Sequence, residues 1–244
     1  MIYLTRLIDP RKTVEIDGKM VNLRFIDRVG AEYEGKYQIS HLRSIDHLGH
    51  FTTDGSVSGN MGIIDRDLER EGEFISKAVQ PTEILEFLEK CHPNHNGENR
   101  DSVNSCTGGH LHVSLLSHAN YQTLMTKEFY QYFISKLIEF GHKNEIIQGS
   151  PFWDRIEGKS LLWANKDNIQ QKQHKMRDHY DDDRYYHVNY CFNVEERHTI
   201  EFRVLPMFKK VSLQKKATLE ILRIVQQYLE DHPIQKPITL RLKI

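Results

Sequence analysis

Three short segments of the sequence carry acidic, imidazole or guanidinium side chains two residues apart. They are residues 30–34 (G-A-E-Y-E), 110–113 (H-L-H-V) and 200–204 (I-E-F-R-V). Side chains at positions i and i+2 of a β-strand point to the same face. If each segment forms a strand, one of its faces is apolar. The other face carries side chains that can bind a metal ion, exchange a proton or bind phosphate. If the strands share one sheet, their polar sides gather six side chains in one groove: Glu32, Glu34, His110, His112, Glu201 and Arg203.

The residue types in this groove favour a divalent cation and a phosphorylated ligand. Several carboxylates on one face repel each other and raise one another's pKa unless cations neutralise them. Carboxylate oxygens combined with an imidazole suit Mg²⁺ or Mn²⁺, and the usual partner of such a carboxylate-bound Mg²⁺ is a nucleotide polyphosphate. Arg203 on the same face is a planar donor fork that stabilises charge on a transferred phosphoryl group.

Each pair taken alone has a simpler interpretation, because half-exposed antiparallel strands alternate apolar and polar residues as a matter of course. Two observations favour a site. Solvent-facing sides usually carry Lys, Thr, Ser and Gln, whereas these carry metal-ligand types. Glycines also flank two of the pairs, and small residues allow a ligand or another backbone to approach closely. They are Gly30, Gly35, Gly108 and Gly109.

The surrounding sequence predicts a sheet backed by helices. Apolar residues at helical spacing predict helices between Pro81 and Pro93, over 119–141 and over 212–231, the last with Ser212 as its N-cap. Alternation predicts strands over 21–35, 73–76, 108–115, 187–190 and 198–205. Residues 46–72 are rich in Gly, Asp and Ser and are expected to form loops around short strands. This order is not a regular βαβ alternation, so it favours an α+β fold with a mostly antiparallel sheet. Residues 165–187 carry many charges and few aliphatic side chains, which is typical of a mobile surface segment such as a lid.

The composition restricts the class of protein. The 244 residues suffice for one sizeable domain, which we expect to span 1–244. Lys and Arg together number 33 and Asp and Glu 34, a net charge of −1, which argues against a protein that mainly coats nucleic acid. No segment is long and apolar enough to span a membrane, and the first residues do not read as a secretory signal. Three cysteines without C-x-x-C spacing are typical of a reducing cytoplasm.

Six motifs, taken in order, resemble a known family. They are G-A-E-Y-E-G (30–35), T-D-G-S (53–56), G-E-F-I-S (72–76), G-G-H-L-H-V-S (108–114), R-Y-Y-H-V-N (184–189) and T-I-E-F-R (199–203). Together they cover about residues 28–206 and resemble the amidoligase family, a branch of the carboxylate–amine ligase superfamily that includes glutamine synthetase and glutamate–cysteine ligase. Any one motif is weak, whereas six in the family's order are more specific.

The resemblance implies a fold and a set of site residues. The fold is that of the glutamine synthetase catalytic domain, a curved antiparallel sheet with helices on one face and with ATP and Mg²⁺ or Mn²⁺ on its concave face. The implied metal ligands are Glu32, Glu34, Glu73, His110 and Glu201. Implied contacts to the nucleotide phosphates or the substrate are His112, Arg184 and Arg203. Asp54 binds the substrate or the incoming amine, unless it only forms an Asx turn beside Gly55.

The same resemblance implies the reaction. ATP phosphorylates a carboxylate to an acyl phosphate, and an amine then displaces phosphate to give an amide or isopeptide bond. The carboxylate could belong to a free amino acid, a peptide, a protein side chain or a modified nucleotide. A lid over the groove, for which residues 165–187 are the candidate, keeps water from the intermediate.

Other interpretations stay open. Guanidino kinases share the related fold, so the chain could transfer a phosphoryl group to an amine without ligation. A catalytically inactive nucleotide-binding protein could keep the same groove. Cys91, His95, Cys106 and His110 also have a loop-compatible spacing for zinc, although Cys91 fits the apolar face of a helix. Several of the remaining histidines are expected at the surface: His41, His47, His50 and His232.

Overall fold

The computed structural model describes residues 9–53, 57, 67–95, 102–157, 187–192 and 198–233. Its strands in chain order are β1 (Thr13–Ile16), β2 (Lys19–Asn22), β3 (Ile26–Gln38), β4 (Gly49–Thr52), β5 (Glu69–Ser76), β6 (Gly108–Leu115), β7 (Val188–Phe192) and β8 (His198–Pro206). Its helices are α1 (Ile39–Ile45), α2 (Ile84–Lys90), α3 (His118–Leu124), α4 (Lys127–Lys143), α5 (Pro151–Glu157) and α6 (Val211–Asp231). None of these helices combines the length and the apolar character that crossing a membrane requires.

Six strands form one antiparallel sheet. Their order across the sheet is β4, β5, β3, β6, β8 and β7, and every neighbouring pair runs antiparallel. β1 and β2 form a separate antiparallel hairpin. The expected class, an α+β fold with a mostly antiparallel sheet, is therefore confirmed. The long strand β3 pairs with β6 along its first half and with β5 along its second half, so it connects the two sides of the sheet.

One face of the sheet packs against helices. The ring of Tyr33 in β3 lies 5.2 Å from that of Phe87 in α2, and the ring of Phe202 in β8 lies 5.1 Å from that of Phe133 in α4. Burying each such aromatic side chain stabilises the fold by about 1.5–3 kcal/mol. The predicted alternation is correct on this side of the sheet. The residues between the predicted groove residues are all buried: Ala31, Tyr33, Leu111, Val113, Ile200, Phe202 and Val204.

Two helix boundaries differ from the sequence prediction. The helix expected over 119–141 is two helices, α3 and α4. Thr126 separates them, because its backbone is extended and its Oγ1 accepts a hydrogen bond from the N–H of Phe129 as the N-cap of α4. Ser212 is not an N-cap. It lies inside α6, whose N-cap is the extended residue Lys210 without a side-chain capping bond.

Short elements were missed by the sequence prediction. The expected strand around Val21, Leu23 and Phe25 is interrupted, because β2 ends at Asn22 and β3 begins at Ile26. The region 46–72, expected to form loops around short strands, contains β4 and the start of β5. Neither α1 nor α5 was predicted. The segment proposed as a lid lies outside the described residues, apart from its last residue.

Candidate functional site

The strand register brings the predicted groove residues together on the side of the sheet opposite the aromatic core. Glu32 of β3 lies directly across from His110 of β6, and Glu34 lies across from Glu73 of β5. His112 of β6 lies across from Glu201 of β8. We call this surface the polar face, and define it by Glu32, Glu34, Glu73, His110, His112, Glu201 and Arg203.

Glu32 is at the centre of the polar face, between two imidazoles. Its Oε2 is 3.2 Å from Nδ1 of His110, and its Oε1 is 3.0 Å from Nε2 of His112. Potential ligand atoms of Glu32, Glu73 and His110 lie within 4.8 Å of one another, and so do those of Glu32, His112 and Glu201. Glu32 thus belongs to two ligand sets. In either set a divalent cation would meet both carboxylate oxygen and imidazole nitrogen.

Glu201 is the most deeply buried carboxylate of the polar face, at 0% exposed. Its Oε1 accepts a hydrogen bond from Nη1 of Arg203 at 2.7 Å, and its Oε2 accepts one from Nδ2 of Asn189 at 3.2 Å. The imidazoles of His110 and His112 each have a nitrogen 3.8 Å from Oε1. A carboxylate buried this deeply needs such partners, because an unpaired buried charge is very costly.

Glu34 is oriented differently from the other carboxylates. Its Oε2 accepts a short hydrogen bond from the backbone N–H of Gly108, and its Oε1 lies 3.6 Å from Nε2 of His110. Among the described residues, Glu34 belongs to neither ligand set. Its carboxylate therefore contacts the start of β6 and the ring nitrogen of His110 that does not face Glu32.

The neighbours of Glu32 and Arg203 fix the charges of these two groups. Burial would raise the pKa of the Glu32 carboxyl, but the imidazoles of His110 and His112 beside it hold that pKa well below its usual value. Burial would lower the pKa of Arg203, but nearby carboxylates, chiefly Glu201, keep it above its usual value. Glu32 is therefore an anion and Arg203 a cation at neutral pH, which is the state that metal and phosphate binding require.

The donors of the polar face fit a hard divalent cation beside an oxyanion. Oxygen ligands with one imidazole in each set are the chemistry that suits Mg²⁺ or Mn²⁺. Nε of Arg203 is buried and has no hydrogen-bond partner within the described part of the chain. A buried donor left without a partner costs about 1–3 kcal/mol, and a phosphate oxygen would remove that cost. The face thus offers both cation ligands and a donor for an anion.

Two predicted site residues, Asp54 and Arg184, lie outside the described residues, so their roles stay predictions. One contributor to the site was missed. Asn189 of β7 lies across from Glu201 and donates to its carboxylate. A signal was available, because Asn189 ends the motif R-Y-Y-H-V-N, but no role was assigned to it.

The alternative zinc set does not assemble. Cys91 is buried and Cys106 exposed, and neither belongs to a group of metal-ligand residues in the described part of the chain. Burial also raises the pKa of the Cys91 thiol well above its usual value, which disfavours the thiolate that zinc binds.

The prediction that His41 lies at the surface is wrong. Its side chain is buried. Nε2 of His41 forms a hydrogen bond with the carbonyl oxygen of Lys90 at 2.7 Å, and its ring stacks on that of His95 with 3.5 Å between the ring centres. The sequence around His41 does not indicate these contacts, because Lys90 and His95 are distant from it in the chain.

The chain matches no protein-family model, no curated protein and no solved structure among those with which it was compared. The polar face is therefore characterised by its geometry. It combines a carboxylate shared between two ligand sets, two imidazoles and a buried ion pair. Such a surface has the groups needed to hold divalent cations and an oxyanion side by side.

Proposed function

We propose that the chain is an ATP-dependent carboxylate–amine ligase that forms an amide or isopeptide bond. The observation that carries the proposal is the position of Glu32 between His110 and His112, on the face that also holds the Glu201–Arg203 ion pair. All five residues belong to motifs that resemble the amidoligase family. The proposal includes a curved sheet like that of the glutamine synthetase catalytic domain, with ATP on the polar face.

Two ligand sets on the polar face would hold the metal ions. One set is Glu32, Glu73 and His110, and the other is Glu32, His112 and Glu201. The carboxylates of this face outnumber its single guanidinium, so divalent cations are favoured over monovalent ones by their larger Coulomb attraction. Mg²⁺ or Mn²⁺ bound there supplies charge neutralisation to the phosphates of ATP.

Arg203 is the residue of the polar face best suited to the transferred phosphoryl group. The hydrogen bond from its Nη1 to Glu201 orients the guanidinium plane and leaves its buried Nε as a donor. In the first step a substrate carboxylate oxygen bonds to the γ-phosphorus, the bond to ADP breaks, and an acyl phosphate forms. Arg203 stabilises the charge on the equatorial oxygens of that phosphoryl group.

The second step joins the amine. Its nitrogen attacks the acyl carbon, the carbon–oxygen bond to phosphate breaks, and the nitrogen loses a proton to leave an amide. Asp54 is proposed to bind the substrate or the amine, and Arg184 to contact the substrate or the phosphates. Four roles rest on the resemblance alone. They are the roles of Asp54 and Arg184, the phosphate contact of His112 and a direct metal bond from Glu34. The cysteine usage favours a cytoplasmic setting for the reaction.

The test is ADP release from Mg²⁺-ATP in the presence of pooled carboxylic acids and pooled amines. We expect ADP only when both pools are present, together with an amide detected by mass spectrometry. ADP formed with amines alone would instead identify a phosphoryl transferase of the guanidino-kinase type. Binding of ATP without ADP release under any combination would identify an inactive nucleotide-binding protein.

Glu32→Gln is the most informative variant, because Glu32 belongs to both ligand sets. We expect it to lower turnover by about 100-fold or more and to weaken Mn²⁺ binding. Asp27→Asn is the matched control, since Asp27 is a carboxylate of the same strand and belongs to neither set. Turnover in Glu32→Gln equal to that of Asp27→Asn would contradict the proposal.

A further inference from the structure

Arg155 is a buried residue of α5, at 6% exposed. Its Nη1 donates to the carbonyl oxygens of Leu205 at 2.9 Å and Arg203 at 3.3 Å. Its Nη2 donates to those of Thr107 at 3.0 Å and Cys106 at 3.4 Å. Burial lowers the pKa of Arg155 to about 10, so the guanidinium remains a cation at neutral pH. It therefore holds the backbone at the start of β6 and at the end of β8 together.

The peptide between Thr107 and Gly108 connects Arg155 to the polar face. Its C=O accepts one hydrogen bond from Nη2 of Arg155 and another from the backbone N–H of Met207, and its N–H donates to Oε2 of Glu34. Because a peptide group is planar and its C=O and N–H point in opposite directions, fixing the carbonyl also fixes the direction of the N–H. The cation at the carbonyl polarises the group as well, which strengthens the N–H as a donor.

Gly108 leaves no room for a side chain in this connection. A Cβ atom at this position would lie 2.5 Å from Nε2 of His110 and 3.2 Å from Nη1 of Arg155. The imidazole and the guanidinium thus both lie against the position that a side chain of residue 108 would occupy. Between the side chains of Arg155 and Glu34 the connection is a single planar peptide.

We propose that Arg155 is a positioning residue, which fixes the Thr107–Gly108 peptide and through it the carboxylate of Glu34 beside His110. The effect of Arg155 on metal binding rests on the proposed function, since it requires that the polar face hold a cation. The positioning of the peptide by Arg155 is independent of the proposed function, because it concerns only the backbone. A purely structural arginine would tie α5 to the sheet, and its removal would lower stability without a specific effect on the polar face.

Two substitutions and one control separate these roles. Arg155→Met removes the charge and keeps most of the volume. Arg155→Lys keeps the charge but loses the planar fork, and one ammonium cannot replace a guanidinium that donates to four carbonyls. Phe152→Leu is the matched control, because Phe152 is a fully buried residue of the same helix and packs on Phe140 and Phe208.

The first measurement is a Mn²⁺ titration without nucleotide, followed by electron paramagnetic resonance. We expect Arg155→Met to weaken Mn²⁺ binding by about 10- to 100-fold, the usual effect of losing an outer partner of a metal site, and Arg155→Lys to weaken it as well. The second is hydrogen exchange of the Gly108 amide. We expect both Arg155 variants to speed this exchange about tenfold relative to the amides of Leu111 and Val113. Phe152→Leu lowers the melting temperature and leaves both measurements unchanged.

Wild-type Mn²⁺ affinity in both Arg155 variants overturns the proposal, and so does an unchanged exchange rate at Gly108. Equal losses in the Phe152→Leu control also overturn it, because loosening of α5 would then be the cause. If the wild-type protein binds no Mn²⁺, the proposed function fails, and the Gly108 amide alone decides whether Arg155 fixes the peptide.

Glu34→Gln keeps the proposal testable if an Arg155 variant does not fold. It leaves the four hydrogen bonds of Arg155 in place and weakens only the acceptor at the other end of the connection. We expect faster exchange at Gly108 and a loss of Mn²⁺ affinity similar to that of Arg155→Met. Exchange at the wild-type rate in this variant would show that the Gly108–Glu34 bond does not hold the peptide, and would overturn the proposal.

Discussion

The Glu201–Arg203 ion pair allows a quantitative test in the metal-free protein. Glu201 is fully buried and accepts hydrogen bonds from Arg203 at 2.7 Å and from Asn189 at 3.2 Å. Glu201→Gln keeps the volume of the side chain and removes its charge. Arg203, whose side chain is 13% exposed, is then left as a largely buried cation that faces a neutral amide.

The expected cost follows from this burial. Removing one partner of a buried ion pair destabilises a protein by about 3–5 kcal/mol. Because the glutamine oxygen still accepts one hydrogen bond, we expect Glu201→Gln to lower the free energy of unfolding by about 2–4 kcal/mol. Arg203→Met leaves Glu201 without its cation and should cost a similar amount. The double variant contains neither charge, so its cost should fall short of the sum by about 2–3 kcal/mol.

The assay is urea unfolding of the four proteins in EDTA, with linear extrapolation to water. EDTA is essential, because a bound cation would stabilise the folded state through Glu201 and obscure the pair. Equal m-values across the four proteins are the control for two-state unfolding. Two results refute the reasoning: a single variant that costs less than about 1 kcal/mol, or a double variant whose cost equals the sum of the two singles within about 0.5 kcal/mol.

Other predictions concern packing and pH. A Cβ at Gly35 would lie 2.5 Å from Pro93 Cγ, whereas the nearest atom at Gly30 is 3.5 Å away. Gly35→Ala should therefore cost about 1–3 kcal/mol in urea unfolding and Gly30→Ala less than about 0.5 kcal/mol, and equal costs would contradict this packing. Phe133→Ala, at a fully buried ring, should cost about 3–5 kcal/mol, against less than about 0.5 kcal/mol for Ile147→Ala at an 80% exposed position. Because the folded state lowers the pKa of Glu32, the unfolded chain takes up more protons in acid. The free energy of unfolding of metal-free protein should fall as pH drops through the ordinary carboxylate pKa of about 4.3. Glu32→Gln should weaken this dependence, and an identical pH profile in that variant would refute the assignment.

Strand periodicity explains why much of the polar face could be predicted. An antiparallel strand sends residues i and i+2 to one side, so Glu32 and Glu34 were assigned a common face from the sequence alone. The alternation within one strand does not determine the register, that is, which residues of two neighbouring strands lie opposite each other. The pairing of Glu32 with His110, and of His112 with Glu201, depends on how the core sides of the strands pack, and that is a property of the folded chain.

Contacts made through the backbone could not be predicted. Arg155 is a lone arginine in a helix of one or two turns, and no neighbour in sequence indicates that it donates to carbonyls of two strands. The hydrogen bond from the backbone N–H of Gly108 to Glu34 could not be predicted from a pattern of side-chain types either. The break between α3 and α4 was missed for a related reason, since the polar cap Thr126 interrupts a segment that otherwise reads as one helix.

The two ligand sets differ in when the growing chain is able to form them. Glu32 and His110 are 78 residues apart in sequence, and their strands, with β5, complete the set that contains Glu73. The set that contains Glu201 also needs β8, which leaves the ribosome after the other strands of the described part of the chain. Closing such distant contacts is entropically costly and slow. A nascent chain that ends before β8 therefore possesses one set of ligands and lacks the other, together with the arginine that balances its charge.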